Sequence, residues 1–262
     1  MRIYPSLLSF ALITACRPPE APDTIEEMMV YGFTHQADDE AHILALADKL
    51  IPFMEAHEEE LAEGYEVSAL TTEDLAAAEV SADAVDGVVG AAVGMFYSVD
   101  IDAVAFGLSY PKQDEIFESY VEFERTQESP RDCFLDRSCP DHQSMSEVHA
   151  SLGLGIEMWN EFSQDLRWVE SEDHGTLLVV RVLGPTPVQF NIDFLQVHQQ
   201  YSFSFVYQPG DGAASRVQAI WVDGEVVDAD MPESTALNLG INTMVNSAED
   251  LDAWLAAREE GQ

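Results

Sequence analysis

The chain has 262 residues, enough for one large domain or two small ones. Hydrophobic residues make up 47% of it, so material for a core is ample and a disordered acidic tail is excluded as a description of the whole chain. Lys and Arg number 11 against 49 Asp and Glu, a net charge of −38, and a surface of that sign repels phosphate backbones and excludes nucleic-acid binding as the main task.

Arg2 opens the chain with a positive charge, and Leu7 to Ile13 is apolar apart from Ser9. That run suits the core of a secretory signal, about 7–15 residues, and is shorter than the ~20 residues a membrane span needs. Pro5 and the proline-rich exit argue against reading it as the first turn of a buried helix. Ile13-Thr14-Ala15-Cys16 then places small residues before a cysteine. The segment resembles the lipobox of bacterial lipoproteins: Ala15 and Cys16 match its usual form, and Ile13 and Thr14 are tolerated variants. The resemblance covers residues 1–16 alone. It implies that residues 1–15 are removed as a signal peptide, that the Cys16 thiol is diacylated and that the new α-amine is acylated. Two or three fatty chains anchor stably where one does so marginally, so the implied partner is the membrane of a bacterial cell envelope. Arg17 in place of Asp favours the outer membrane, facing the periplasm or exterior, by analogy with enteric bacteria. An ordinary cleaved signal with Cys16 incidental is the alternative. Pro18, Pro19 and Pro22 make residues 16–23 a stiff tether.

Residues 24–86 read as mainly helical. Thr24 with Glu27 has capping-box spacing and predicts a short helix to about Tyr31. Asp38 and Asp39 precede a longer helix in which Ile43, Leu46, Leu50, Met54 and Leu61 recur at helical spacing, and Pro52 either kinks it or starts a second one. Thr71 with Asp74 opens another helix through Ala78. Residues 87–262 read as an α+β portion forming one domain with residues 24–86. Val88 to Tyr97 is uncharged, Ile101 to Tyr110 is similarly apolar, and both predict buried strands. Ile116, Phe117, Tyr120 and Val121 predict an amphipathic helix to about Arg125, followed by a polar loop from Thr126 to Ser146.

Thr176 to Leu183 predicts a strand. Tyr201, Phe203, Phe205 and Tyr207 alternate with Ser202 and Ser204, a period of two with an aromatic inner row. Pro209 to Gly212 turns the chain, Val217, Ala219 and Trp221 continue on a partner strand, and Asp223-Gly224 predicts a hairpin into Glu225 to Val227. Residues 199–227 therefore predict a three-stranded antiparallel meander. Ser247 with Asp250 predicts the cap of a terminal helix carrying Leu251, Trp254 and Leu255. The order gives an α+β fold class: a helical N-terminal segment, a mainly antiparallel twisted sheet and a C-terminal helix. A curved sheet gripping a long final helix, the START-like helix-grip arrangement, fits residues 88–262 as architecture, although no sequence motif identifies that family. A sheet with helices on one face is the alternative.

Signatures of catalysis are missing: there is no Gly-x-Ser-x-Gly, P-loop or Gly-x-Gly-x-x-Gly, and Ser109 to Lys112 matches Ser-x-x-Lys by letter alone. No catalytic residue, cofactor or metal ligand is assigned. Cys133 and Cys139 form a disulfide if the chain is exported, with a gain of about 2 kcal/mol for so short a loop. Their rival role is a zinc site with His142 and His149. His35 and His42 flank Asp38, Asp39 and Glu40, which either hold a cation or form a solvated loop and helix start. His57 lacks the second histidine of a zincin motif, and His198 reads as a core-edge residue rather than a ligand contact. The acidity reads first as solubility in salty surroundings and second as attraction for cations or a basic partner. These features predict a lipid-anchored envelope protein that binds a protein partner or apolar ligand without catalysis. The alternative is an envelope-tethered hydrolase with an unrecognised site.

Overall fold

The computed structural model describes residues 18–81, 88–210, 212–226 and 233–260. Cys16, the segment before it that is expected to be a signal, and Arg17 lie outside the described residues.

Helix α1 (Ile25–His35) has Thr24 at its N-cap, without the predicted side-chain bond. Helix α2 (Glu40–Ala56) is capped by Asp39, whose carboxylate accepts from the Ala41 amide at 3.1 Å. It runs through Pro52, and α3 (Glu58–Glu63) starts afresh after His57. Strand β1 (Tyr65–Leu70) interrupts the stretch read as helical. Helix α4 (Thr72–Ala77) has the reciprocal Thr71–Asp74 cap that its spacing predicts.

After β2 (Val88–Phe96) comes α5 (Ile101–Leu108), a helix where a strand was expected. Asp100 decides the matter. Its carboxylate accepts from the Ala103 amide at 2.8 Å, and Ile101, Val104, Ala105 and Leu108 then fall on one buried helical face. The reverse error follows. A 3₁₀ turn (Gln113–Glu115) leads to β3 (Tyr120–Gln127), where a helix was expected. Tyr120, Val121, Phe123 and Thr126 are strand formers, and they lie on the edge of the sheet. The expected polar loop contains α6 (Arg131–Leu135) and the start of β4 (Asp141–Gly153). Then follow β5 (Ile156–Ser171), β6 (Gly175–Gly184), β7 (Gln189–Phe190), β8 (Leu195–Tyr207), β9 (Ser215–Val226) and α7 (Glu233–Glu260). Asp223-Gly224 makes no hairpin: β9 runs on through both, opposite Gln199 and Val197 of β8, so the expected meander has two strands. Ser247 caps nothing either. It lies inside α7, and its hydroxyl donates to the Thr243 carbonyl at 2.8 Å.

The strands form one antiparallel sheet in the order β1-β2-β9-β8-β6-β5-β4-β3, with β7 beside β5. The architecture is α+β, an antiparallel sheet with a long C-terminal helix. Helices cover both of its faces. On one, Tyr201, Phe203, Phe205 and Trp221 pack against Phe33, Met28 and Leu46 of α1 and α2. On the other, Trp168, Leu178, Val180 and Val206 pack with α5, α6 and α7. The residues that alternate with the aromatic row are therefore buried as well. Helix α7 lies across the β2 side of this second face. Leu251 fills the space beside Gly107 of α5, Asp252 accepts from the Ser98 amide and hydroxyl at 2.7 and 2.9 Å, and Gly240 stands against Ile220.

Candidate functional site

Antiparallel register arranges the α7 face of the sheet in rows across the strands. The row Trp168, Leu178, Val206, Arg216, Met95 is wholly buried. The row Ser144, Gln164, Val182, Ser202, Ile220 is different: Val182 and Ile220 are only half-buried. So are Phe162, Gln200 and Val222 in the row beyond. The face is thus sealed near α5 and α6 and opens toward the β4–β5 hairpin.

Polar side chains lie among these apolar ones. Ser144, Ser146, Asn160, Gln164, Ser202, Ser204 and Arg216 are all buried on this face. Arg216 is held by the Ser204 hydroxyl at 2.8 Å and the Tyr97 hydroxyl at 3.1 Å. Ser146 accepts from Arg125 Nε at 3.1 Å. Several groups are not satisfied: Ser144 Oγ, Asn160 Oδ1, Gln164 Oε1, Arg216 Nε and Nε2 of the neighbouring His142 have no hydrogen-bond partner among the described residues. Buried polar atoms are nearly always paired in a packed core, so five orphans on one face call for an explanation.

Two arginines tie the end of α5 to β3 and α6. Arg125 Nη1 donates to the Leu108 and Tyr110 carbonyls at 3.0 and 3.1 Å. Arg131 donates to the Phe106 and Ser109 carbonyls and lies 4.5 Å over the Phe106 ring. Both guanidiniums meet the negative end of the helix dipole. Burial lowers both their pKa values, and both remain cations at neutral pH.

The opposite face holds a polar cleft of about 260 Å³ between the α1–α2 connection and strands β4 to β6. Asp165 and Arg181 pair there at 3.4 Å. Burial raises the Asp165 pKa, and Arg181 opposes the rise. Arg167 donates to the Gln36 carbonyl at 3.1 Å and to the Asp38 carbonyl, tying down the connection. On that connection His35, Asp38 and His42 come together: His35 Nδ1 lies 2.6 Å from Asp38 Oδ2, and the two imidazoles stack with centroids 4.2 Å apart. Asp39 caps α2 instead of joining them.

Cys133 and Cys139 are bridged as a disulfide. The rival zinc set is not assembled: His142 is wholly buried against Phe134, whereas His149 stacks on Trp159 on the opposite face of β4. His57 bonds the Phe53 carbonyl at 3.0 Å and stacks on the Phe53 ring. His198 is exposed, a correction to its placement at the core edge, because the β-bulge between Val197 and Gln199 shifts the register there. Ser109 donates to the Ala105 carbonyl and Lys112 pairs with Glu115, so their Ser-x-x-Lys spacing is coincidental. The polar band on β4 and β5 escaped the sequence reading. Ser144 and Ser146 face inward while Met145 is 42% exposed, which inverts the hydropathy alternation that marks a strand.

No family model matches the chain, and no curated protein matches it in sequence. Among solved structures it is similar to a STAR-related lipid transfer protein from Xanthomonas axonopodis, at 12% identity and a TM-score of 0.45, covering 66% of this chain and 89% of that one. It is similar also to a START superfamily protein from Mycobacterium smegmatis (8% identity, TM-score 0.43, 65% and 99% covered). A third is an aromatase/cyclase from a Streptomyces species (13% identity, TM-score 0.41, 66% and 94% covered). These are loose likenesses of general layout.

Proposed function

We propose that the chain is a lipid-anchored protein of the bacterial envelope, held through Cys16, that binds a mainly apolar ligand with a few polar groups on the α7 face of its sheet. The carrying observation is the row Ser144, Gln164, Val182, Ser202, Ile220, where half-buried apolar side chains border buried polar atoms without partners. A site lined by apolar groups with a few convergent polar ones is what such a ligand needs. The apolar rows would hold its body and the unpaired oxygens of Ser144, Asn160 and Gln164 would fix its polar end.

The competing hydrolase would use the polar cleft beside Asp165. None of the residues lining that cleft carries a hydroxyl, a thiol or an imidazole, so a hydrolase of the serine, cysteine or histidine kind has no nucleophile there, and the carboxylates of Asp141 and Asp165 are what such an enzyme would have to use.

The test is a titration of the purified protein with the fluorescent fatty acid cis-parinaric acid. Saturable binding is expected, weakened at least tenfold by Val182→Trp, which fills the opening, with an unchanged urea midpoint. Absence of binding, or equal affinity in Val182→Trp and Ile220→Trp, overturns the ligand reading. The anchor is tested separately by Cys16→Ser. That variant should leave the envelope fraction, and the parent should carry a thioether-linked glyceride. Retention of the variant in the envelope refutes the anchor.

A further inference from the structure

We propose that His35, Asp38 and His42 form a binding site for a divalent transition-metal ion of the zinc type. One ligand atom from each residue lies within 4.8 Å of the other two. Zinc takes nitrogen and carboxylate oxygen at about 2.0–2.2 Å, which in tetrahedral geometry needs donors roughly 3.4 Å apart. Small rotations of side chains that are exposed or half-buried close that gap. Two imidazoles and one carboxylate select zinc, copper or nickel over magnesium and calcium, which prefer oxygen throughout.

The surrounding structure holds the backbone of the three residues in place. His35 ends α1 and His42 stands in the first turn of α2, so two helices carry the imidazoles. The intervening backbone is fastened by Arg167, by the Asp39 cap and by the bond from the Asp38 amide to the His35 carbonyl at 3.1 Å. The Tyr31 hydroxyl lies 2.9 Å from His42 Nδ1. Occupation of Nδ1 leaves Nε2 for the metal, the outer-shell bond that fixes a ligating imidazole. Three protein ligands leave a fourth position for water or another donor. The large acid excess of the chain adds long-range attraction for any dication.

The experiment is calorimetric titration of the full chain with zinc chloride, with magnesium chloride as the control. One zinc per chain is expected, with no magnesium binding at this site. The variants His35→Ala, Asp38→Asn and His42→Ala should each weaken zinc at least tenfold. Tyr31→Phe, which removes only the outer-shell bond, should weaken it by about tenfold. His198→Ala, an exposed histidine on β8, should change nothing. Zinc should also shift the imidazole proton resonances of His35 and His42 and spare His198, a readout that needs no variant to fold. No binding to the parent chain, or binding that survives His35→Ala/His42→Ala, overturns the proposal.

Discussion

Helix α1 crosses the sheet so closely at Gly32 that a single methyl group should separate them. A Cβ built there would lie 2.5 Å from Phe203 Cζ, nearer still to Cε1, and 2.9 Å from Leu46 Cδ2. Ordinary carbon contacts are about 3.5–4.0 Å, so the overlap is about 1 Å. Phe203 is wholly buried and has no free end to move. Such overpacking costs about 1–3 kcal/mol, here toward the upper limit, against a gain of about 1 kcal/mol in helix propensity for Gly→Ala. The expected net loss for Gly32→Ala is about 2 kcal/mol, or about 4–8 °C in Tm for a domain of this size. Urea denaturation of Gly32→Ala, Phe203→Leu and the double variant measures it. The double variant should be more stable than the summed single effects by at least about 1 kcal/mol, because the shorter side chain makes room. A Gly32→Ala protein as stable as its parent, or strict additivity in the cycle, refutes the close crossing. His35 lies one turn further along α1, so the same displacement should weaken zinc binding.

Reduction of the Cys133–Cys139 bridge, or Cys133→Ser/Cys139→Ser, should lower stability by about 2 kcal/mol in urea; no change would show that the loop is fixed by other contacts, such as the bond from the Cys139 amide to the Cys133 carbonyl. Burial lowers the His142 pKa in the folded chain, with Arg125 and Arg131 adding to the effect. The unfolded chain then binds more protons just below about pH 6.5, so stability should fall as pH drops through that value, by at most about 1.4 kcal/mol per unit. His142→Phe should flatten that limb in urea midpoints measured at pH 7 and pH 5.5, and an equal fall in both proteins would refute it. With 49 acids against 11 basic residues, Tm should rise with NaCl over the sub-molar range as self-repulsion is screened; a flat or falling Tm counts against the electrostatic account.

Where a local rule carried its own signal, the sequence was legible. The Thr71–Asp74 cap, the aromatic row of β8 and the turn after it are all present. The errors share a cause. Ile101 to Tyr110 carries a single charge, Asp102, and is otherwise mostly packed between the sheet and α7, so periodicity could not separate helix from strand. Residues 120–127 have too few buried positions to show a period of two. The polar band of the candidate site was invisible because serines and glutamines on an inner face look like solvent-facing residues. Only the successive pairing of β4, β5, β6 and β8 puts Ser144, Gln164 and Ser202 in one row, with Val182 between the last two. The His35–Asp38–His42 cluster was legible as spacing, and Arg167, which fastens its backbone from over a hundred residues away, was not.

The fold turns many of its few cations inward. Arg125 and Arg131 are occupied at the end of α5, Arg167 beneath the α1–α2 connection, and Arg181 and Arg216 within the two sheet faces. What remains outside approaches a polyanion, more one-sided than the composition alone conveys. A body of that kind travels inside a cloud of mobile counterions, and neighbouring copies keep their distance without any dedicated spacer.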